Sequence, residues 1–191
     1  MPQASFKLGL EEYELFPDDG QRHELIDGEH IVTPAPTARH QLVLLRLGAA
    51  LLRFVEAHRG GIVLPAPTDV ILSPHDVVQP DVLFVSAERS SIVRNRIEGS
   101  PDLAVEVLSP SSRRTDEVLK RHAYEQWGVR ELWIVDTDVE RVRVYRLEGE
   151  RRFGRACELS AEHGEALTTP LLPGFSIELA ELFADPLRDR G

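Results

Sequence analysis

Apolar and polar positions fall into short blocks of two kinds, and the order of the blocks is readable along the chain. Glu24-Leu25-Ile26 and Glu29-His30-Ile31-Val32 flank Asp27-Gly28, and an Asp-Gly link between such runs predicts a β-hairpin. From about Ala38 to Ala57, apolar residues including Leu42, Leu45, Leu52 and Val55 recur on most sides of a helix before Gly60-Gly61. That pattern predicts a well-buried helix stopped by the glycine pair. Asp69-Val70-Ile71-Leu72 and Val82-Leu83-Phe84-Val85 read as strands. Leu103 to Leu108 is an apolar run broken only by Glu106, as in a strand covered on both faces. Ser111 or Ser112 can cap a helix running to about Trp127 and ended by Gly128. Leu132-Trp133-Ile134-Val135 and Val142-Arg143-Val144-Tyr145 predict two more strands, the second alternating as an outer strand does. A strand near Ser176-Ile177 and a short helix over Leu179 to Phe183 are expected in the C-terminal third. Together these predict an α/β (mixed α+β) fold with a central mixed sheet flanked by helices.

Length adds that 191 residues suit one domain, expected to span 1–191, with a core that needs no disulfide or structural metal. One cysteine, Cys157, excludes an internal disulfide and any Cys-rich zinc site. Arg46 and Arg53 interrupt the longest apolar run before it reaches membrane-spanning length. The first seven residues lack a basic region followed by an apolar stretch. A cytoplasmic protein without a membrane partner is therefore expected. Net charge is −10, which argues against tight nonspecific phosphate binding and implies low affinity for any nucleic acid. Of 22 cationic residues only Lys7 and Lys120 are lysines, so a lysine retained inside the chain draws attention to its position.

Gly-x-Gly-x-x-Gly, Walker, His-Glu-x-x-His and Gly-x-Ser-x-Gly motifs are all absent, and the seven histidines show no metal-ligand spacing. The chemistry lies instead in acids set among apolar strand residues. Glu106 sits inside its aliphatic run, and burying an unpaired carboxylate costs several kcal/mol, so a cation or metal is called for. Asp81 opens the preceding strand after Pro80, 25 residues earlier. Two carboxylates at matching height on neighbouring strands would hold a hard divalent cation such as Mg²⁺ and would repel one another without it; solvated strand ends give the same pattern. On the following helix Asp116, Lys120 and Tyr124 form one polar stripe, beside an apolar stripe of Leu119, Ala123 and Trp127 that should face the sheet. Lys120 is then either a surface partner of Asp116 or an ammonium brought over the two acids.

Gln79-Pro80-Asp81-Val82, the run from Pro101 to Ser111, and the segment through Lys120 to Trp133-Ile134-Val135-Asp136 resemble the Uma-two family. Glu24-Leu25-Ile26-Asp27-Gly28-Glu29 and the Pro-rich turn before His40 extend the resemblance over roughly Glu24 to Tyr145. Members of that family are regarded as endonucleases of the PD-(D/E)XK superfamily, with a restriction-endonuclease-like core. The resemblance implies Asp81 and Glu106 as the two acids of the motif, with Glu24 as an additional acid near the metal. The superfamily lysine two residues after the second acid is replaced here by Leu108, and the resemblance gives its role to Lys120. Pro101-Asp102 is a competing literal match, but Asp102 and Glu106 would lie about 13 Å apart on one strand, too far to share an ion.

The expected function is Mg²⁺-dependent hydrolysis of phosphodiester bonds in DNA, with Mn²⁺ as substitute. Asp81, Glu106 and the Val107 carbonyl would hold the ion, with Lys120 and Glu24 as the other catalytic residues. Arg113, Arg114 and Arg121 are candidates for phosphate contacts or for a solvated helix surface. A homodimer would let one small domain reach both strands. Two alternatives stand: a nuclease fold that no longer cuts and serves as a nucleic-acid-binding or interaction module, and a metal hydrolase of small phosphorylated substrates.

Overall fold

The computed structural model describes residues 7–109, 112–149 and 151–185. The chain begins with α1 (Leu10–Tyr13), the hairpin β1 (Arg22–Ile26) and β2 (Glu29–Thr33), and the long helix α2 (Ala38–His58). Five strands follow: β3 (Gly61–Pro65), β4 (Val70–Ser73), β5 (Asp76–Val78), β6 (Val82–Ser86) and β7 (Ile97–Glu98). Then come β8 (Leu103–Val107), a π-helical stretch over Thr115–Lys120 that runs into α3 (Arg121–Trp127), and β9 (Glu131–Asp136). The C-terminal part holds β10 (Arg141–Glu148), β11 (Arg152–Phe153), β12 (Cys157–Ser160), β13 (Ala166–Thr168), β14 (Ser176–Glu178) and α4 (Leu179–Phe183).

One sheet runs β2-β1-β5-β4-β7, and a larger one runs β11-β10-β9-β8-β6-β3 with β12 also on β10. β13 and β14 form a separate pair. The larger sheet is mixed, because β8 and β9 are parallel while β6 and β8 are antiparallel. Parallel neighbours need a crossover, and the segment carrying the π stretch and α3 supplies it. The fold is therefore mixed α+β with helices against a central mixed sheet, as the pattern predicts.

Side-chain parity along the central strands sorts the core into two layers. Val82, Phe84, Leu103, Val105, Trp133 and Val135 pack with Val43, Leu47 and Leu51 of α2. Leu83, Val85, Ala104, Leu108, Leu132 and Ile134 pack with Ala123 and Tyr124 of α3. By the same parity Asp81 and Glu106 belong to the α3 layer.

Local signals behave as their chemistry requires, with instructive exceptions. Asp27 and Gly28 both take positive φ, 51° and 77°, the pair of left-handed residues that a tight hairpin demands. α2 ends one residue before the glycines, with Arg59 itself in the left-handed cap. It is less enveloped than its composition predicts: one stripe is buried, while Leu45 is 70% exposed. β10 alternates as expected, but it is flanked by β9 on one side and by β11 and β12 on the other. The expected helix cap Ser111 lies outside the described residues, and Ser112 hydrogen-bonds Ser109. Among the described residues no helix is long and apolar enough to cross a membrane.

Candidate active site

β6 and β8 pair in the register Val82 to Val105 and Leu83 to Ala104. Continued by one pair, that register sets Asp81 opposite Glu106 at the end of the sheet where β6 begins and β8 finishes. The two acids share one face because side chains alternate along both strands. Asp81 is bound to β8 directly, since its Oδ2 accepts the Val107 N–H at 2.8 Å.

The segment after β8 closes over this end. The π stretch carries its own signature, an Arg121 N–H bonded back to the Asp116 carbonyl, and such widened turns occur mostly as single turns, often at functional sites. The predicted apolar stripe does face the sheet, with Ala123 buried and Leu119 and Trp127 packed against the same core layer. The polar stripe beside it is buried as well: Asp116, Lys120 and Tyr124 are all covered. Lys120, 1% exposed, is no surface partner. Its Nζ lies 2.9 Å from Glu24 Oε1, 3.2 Å from Glu106 Oε2 and 3.5 Å from Asp116 Oδ1. Tyr124 Oη donates to Glu106 Oε1 at 2.6 Å. Glu24 reaches in from β1, where Oε1 also accepts the Gln79 N–H at 2.7 Å and Oε2 accepts the Thr33 hydroxyl at 3.1 Å.

Asp81 has a different set of neighbours. Arg22 Nη1 donates to its Oδ1 at 2.8 Å, and His40 Nε2 stands 3.6 Å from its Oδ2. Burial opposes ionisation, but His40, Arg22 and Lys120 outweigh it and hold the Asp81 carboxyl at about 2. Glu106 goes the other way: burial pushes its pKa well up, Asp116, Asp81 and Glu24 add to that, and Lys120 opposes it. Asp116 is likewise raised by burial against the pull of Lys120. Burial works against the charge of Lys120 too, yet Glu106, Glu24 and Asp116 raise its pKa above the ordinary lysine value. The expected mutual destabilisation of Asp81 and Glu106 thus falls on Glu106 alone, because Arg22 neutralises Asp81.

Arg22, His40, Asp81, Glu106, Val107, Asp116 and Lys120 line one small cavity. It leaves about 10 Å³ for the centre of a water molecule, room for one water or one small ion. Four buried carboxylates, Glu24, Asp81, Glu106 and Asp116, face two cations, Arg22 and Lys120. The formal excess of two negative charges and the all-oxygen carboxylate set suit a hard dication. Among the described residues no three acid, imidazole or thiolate groups already stand as a metal cage, because the acid oxygens are turned toward Arg22, Lys120, Tyr124 and backbone N–H groups.

A family model described as "Putative restriction endonuclease", that of Uma2, matches residues 10–180. The chain belongs to the Uma2 family. Among solved structures, one described as a putative nuclease belonging to DUF820 from Anabaena variabilis superposes with a TM-score of 0.76. It is 20% identical, and the alignment covers 92% of this chain and 97% of that one. At that identity the likeness speaks for the fold, which is restriction-endonuclease-like. Comparison with curated proteins gives no match.

Within this Uma2 chain, the acids and the lysine singled out from the sequence meet at one place, and Asp102 does not join them. It is tied at the other end of β8 by Ser86 N–H, Arg89 and Arg130. The arginines expected to flank the helix do not line the cavity. Arg113 pairs with Asp136 at 2.7 Å, Arg121 lies over the Tyr145 ring, and Arg114 is exposed. Two ionisable lining residues had no role assigned from the sequence. Arg22 is two residues from Glu24 on β1, so strand alternation alone sets it on the same face. His40 continues the buried α2 stripe of Val43, Leu47 and Leu51 toward the N-terminus, a polar residue at an apolar position.

Proposed function

We propose that this Uma2 chain is a Mg²⁺-dependent endonuclease that hydrolyses phosphodiester bonds in DNA. The observation that carries the reading is the charge imbalance at the small cavity, on a nuclease-family fold: Asp81, Glu106 and Asp116 line it and Glu24 pairs with Lys120, against the two cations Arg22 and Lys120. Asp81 and Glu106, with the Val107 carbonyl, would hold the ion. When bound, a divalent cation supplies Lewis acidity, activating water and offsetting negative charge that builds on the phosphate. Lys120 orients the attacking water from the side of Glu106. Glu24, whose oxygens hold Lys120, Thr33 and the Gln79 N–H, keeps that ammonium aimed; it is a positioning residue more than a second ion ligand. Arg22 keeps its Nε buried and without a hydrogen-bond partner among the described residues, and would meet a phosphate oxygen. Cutting both strands of a duplex together would take two chains about a two-fold axis.

A second reading, a nuclease fold that binds nucleic acid or a protein partner without cutting it, is favoured by one observation. Asp81 and Glu106 already have protein partners that a metal would have to share. The test is cleavage of supercoiled and single-stranded DNA with Mg²⁺ or Mn²⁺, using Glu106→Ala as the blank. Metal-dependent cutting by the wild type alone is expected. Equal cutting by wild type and blank would leave the non-cutting reading in its place.

A further inference from the structure

We infer that His40 is a nitrogen ligand of the divalent cation at this site, and that it lets first-row transition dications such as Mn²⁺ bind there more tightly than the Mg²⁺ of the proposed reaction. The inference rests on the reading that Asp81 and Glu106 hold an ion. The seven histidines differ in what their ring nitrogens meet. His23 bonds both His30 and Asp19, His58 bonds the Phe54 carbonyl, and His75 bonds the Leu8 carbonyl. His122 and His163 are exposed beside Glu125 and Glu165. His40 is 4% exposed, and neither of its ring nitrogens has a hydrogen-bond partner among the described residues. Burying an imidazole that stands beside Asp81 at 3.6 Å yet completes no hydrogen bond at either nitrogen is costly, so the position calls for something that uses a nitrogen.

The surroundings limit what that is. His40 is the third residue of α2, its backbone fixed by the Thr37 hydroxyl, which accepts the His40 N–H at 3.2 Å. Its ring lines the same cavity as Asp81, Glu106 and Val107. A counter-ion for Asp81 would form a charge-assisted hydrogen bond of about 2.7–2.9 Å, whereas Nε2 to Oδ2 is 3.6 Å. Donors that share one first-row ion, each roughly 2.1 Å from it, stand about 3–4 Å apart. The observed separation fits the second case. Asp81 Oδ2 spends one of its two lone pairs on the Val107 N–H, and one remains. Mg²⁺ binds oxygen and parts with water reluctantly, while imidazole favours transition dications. A mixed nitrogen and oxygen set therefore discriminates between the two.

The test is calorimetric titration of the whole chain with MgCl₂ and MnCl₂ separately, for wild type, His40→Gln and Asp81→Asn. Wild type is expected to bind Mn²⁺ more tightly, and His40→Gln to lose at least about tenfold in Mn²⁺ affinity, about 1.4 kcal/mol, with little change for Mg²⁺. An unchanged Mn²⁺ to Mg²⁺ ratio in His40→Gln overturns the ligand assignment. So does a gain in affinity for both ions, as expected if His40 merely competes for Asp81. In case the variant folds poorly, electron spin-echo modulation of Mn²⁺ bound to wild type, with histidines labelled by ¹⁵N, reads the same question directly. Imidazole coupling supports the assignment, and its absence overturns it. Wild type that binds neither ion, or binding that survives Asp81→Asn, would instead sink the underlying metal-site reading, and this inference with it.

Discussion

Replacing Lys120 by Met removes a charge and keeps most of the volume, so its effect reports the electrostatics of the cavity. Lys120 is 1% exposed and has three carboxylates within 3.5 Å. Removing one partner from a buried ionic cluster costs about 3–5 kcal/mol, because the remaining charges stay buried and unpaired. For a domain of this length each kcal/mol moves Tm by about 2–4 °C. The variant should therefore melt about 6–20 °C lower, still folded at room temperature. The cost also carries a sign in pH. Glu106 and Asp116 have folded pKa values above their ordinary ones, and an acid of that kind lowers stability as pH rises from its unfolded value through its folded value. Without the ammonium both values rise further. The penalty should then be smallest near pH 5 and grow toward pH 8, as calorimetry at several pH values would record. Cleavage by the variant, assayed well below its Tm, should fall by orders of magnitude. A penalty below about 1 kcal/mol, or one that does not change with pH, would refute the electrostatic account.

Asp81→Asn should cost roughly 2–3 kcal/mol at neutral pH, since a carboxyl held at about 2 contributes stability above its unfolded value near 3.9 that is lost as pH falls toward 2. The same variant should lose the rise in Tm that Mg²⁺ or Mn²⁺ gives wild type by mass action; an undiminished rise would mean the ion binds elsewhere. Tyr124→Phe deletes the 2.6 Å hydrogen bond to Glu106 and should lower stability by about 1.5–3 kcal/mol, measured by urea unfolding, with no loss implying that Glu106 is protonated and otherwise satisfied. Asp102→Asn should cost about 1–3 kcal/mol through its bonds to Ser86, Arg89 and Arg130, and leave the divalent-ion response intact. A lost response there would revive Asp102 as the acid of the motif.

Much of the architecture was legible because it rests on local rules. The Asp27-Gly28 hairpin, α2, the central strands and α4 follow from period, turn chemistry and caps that act within a few residues. The candidate site was legible in part for a related reason. Asp81 and Glu106 stand out because a carboxylate in an aliphatic strand is an energetic anomaly visible in one dimension, and Lys120 because its spacing from Asp116 and Tyr124 is helical. β3, β5, β7, β11, β12 and β13 were not anticipated: most are short, and pairing with their neighbours rather than their own pattern makes them strands.

What only the tertiary structure decided is which residues answer those acids. The sequence by itself demanded a cation for Glu106 and could not say that Glu24 and Asp116 would share Lys120, or that Arg22 rather than the helix arginines would take Asp81. It predicted the Leu119, Ala123 and Trp127 face of the helix as the buried one, and that face does pack on the sheet. It could not say that the polar stripe beside it, Asp116, Lys120 and Tyr124, would be buried too, where Glu24, Glu106 and Asp116 share the ammonium and Glu106 takes the phenol hydroxyl. Periodicity assigns faces by counting apolar residues along one segment. A buried charge chooses its face by partners that lie 14 to 96 residues away in the chain, and the Coulomb energy between them exists only once the sheets and the helix are assembled.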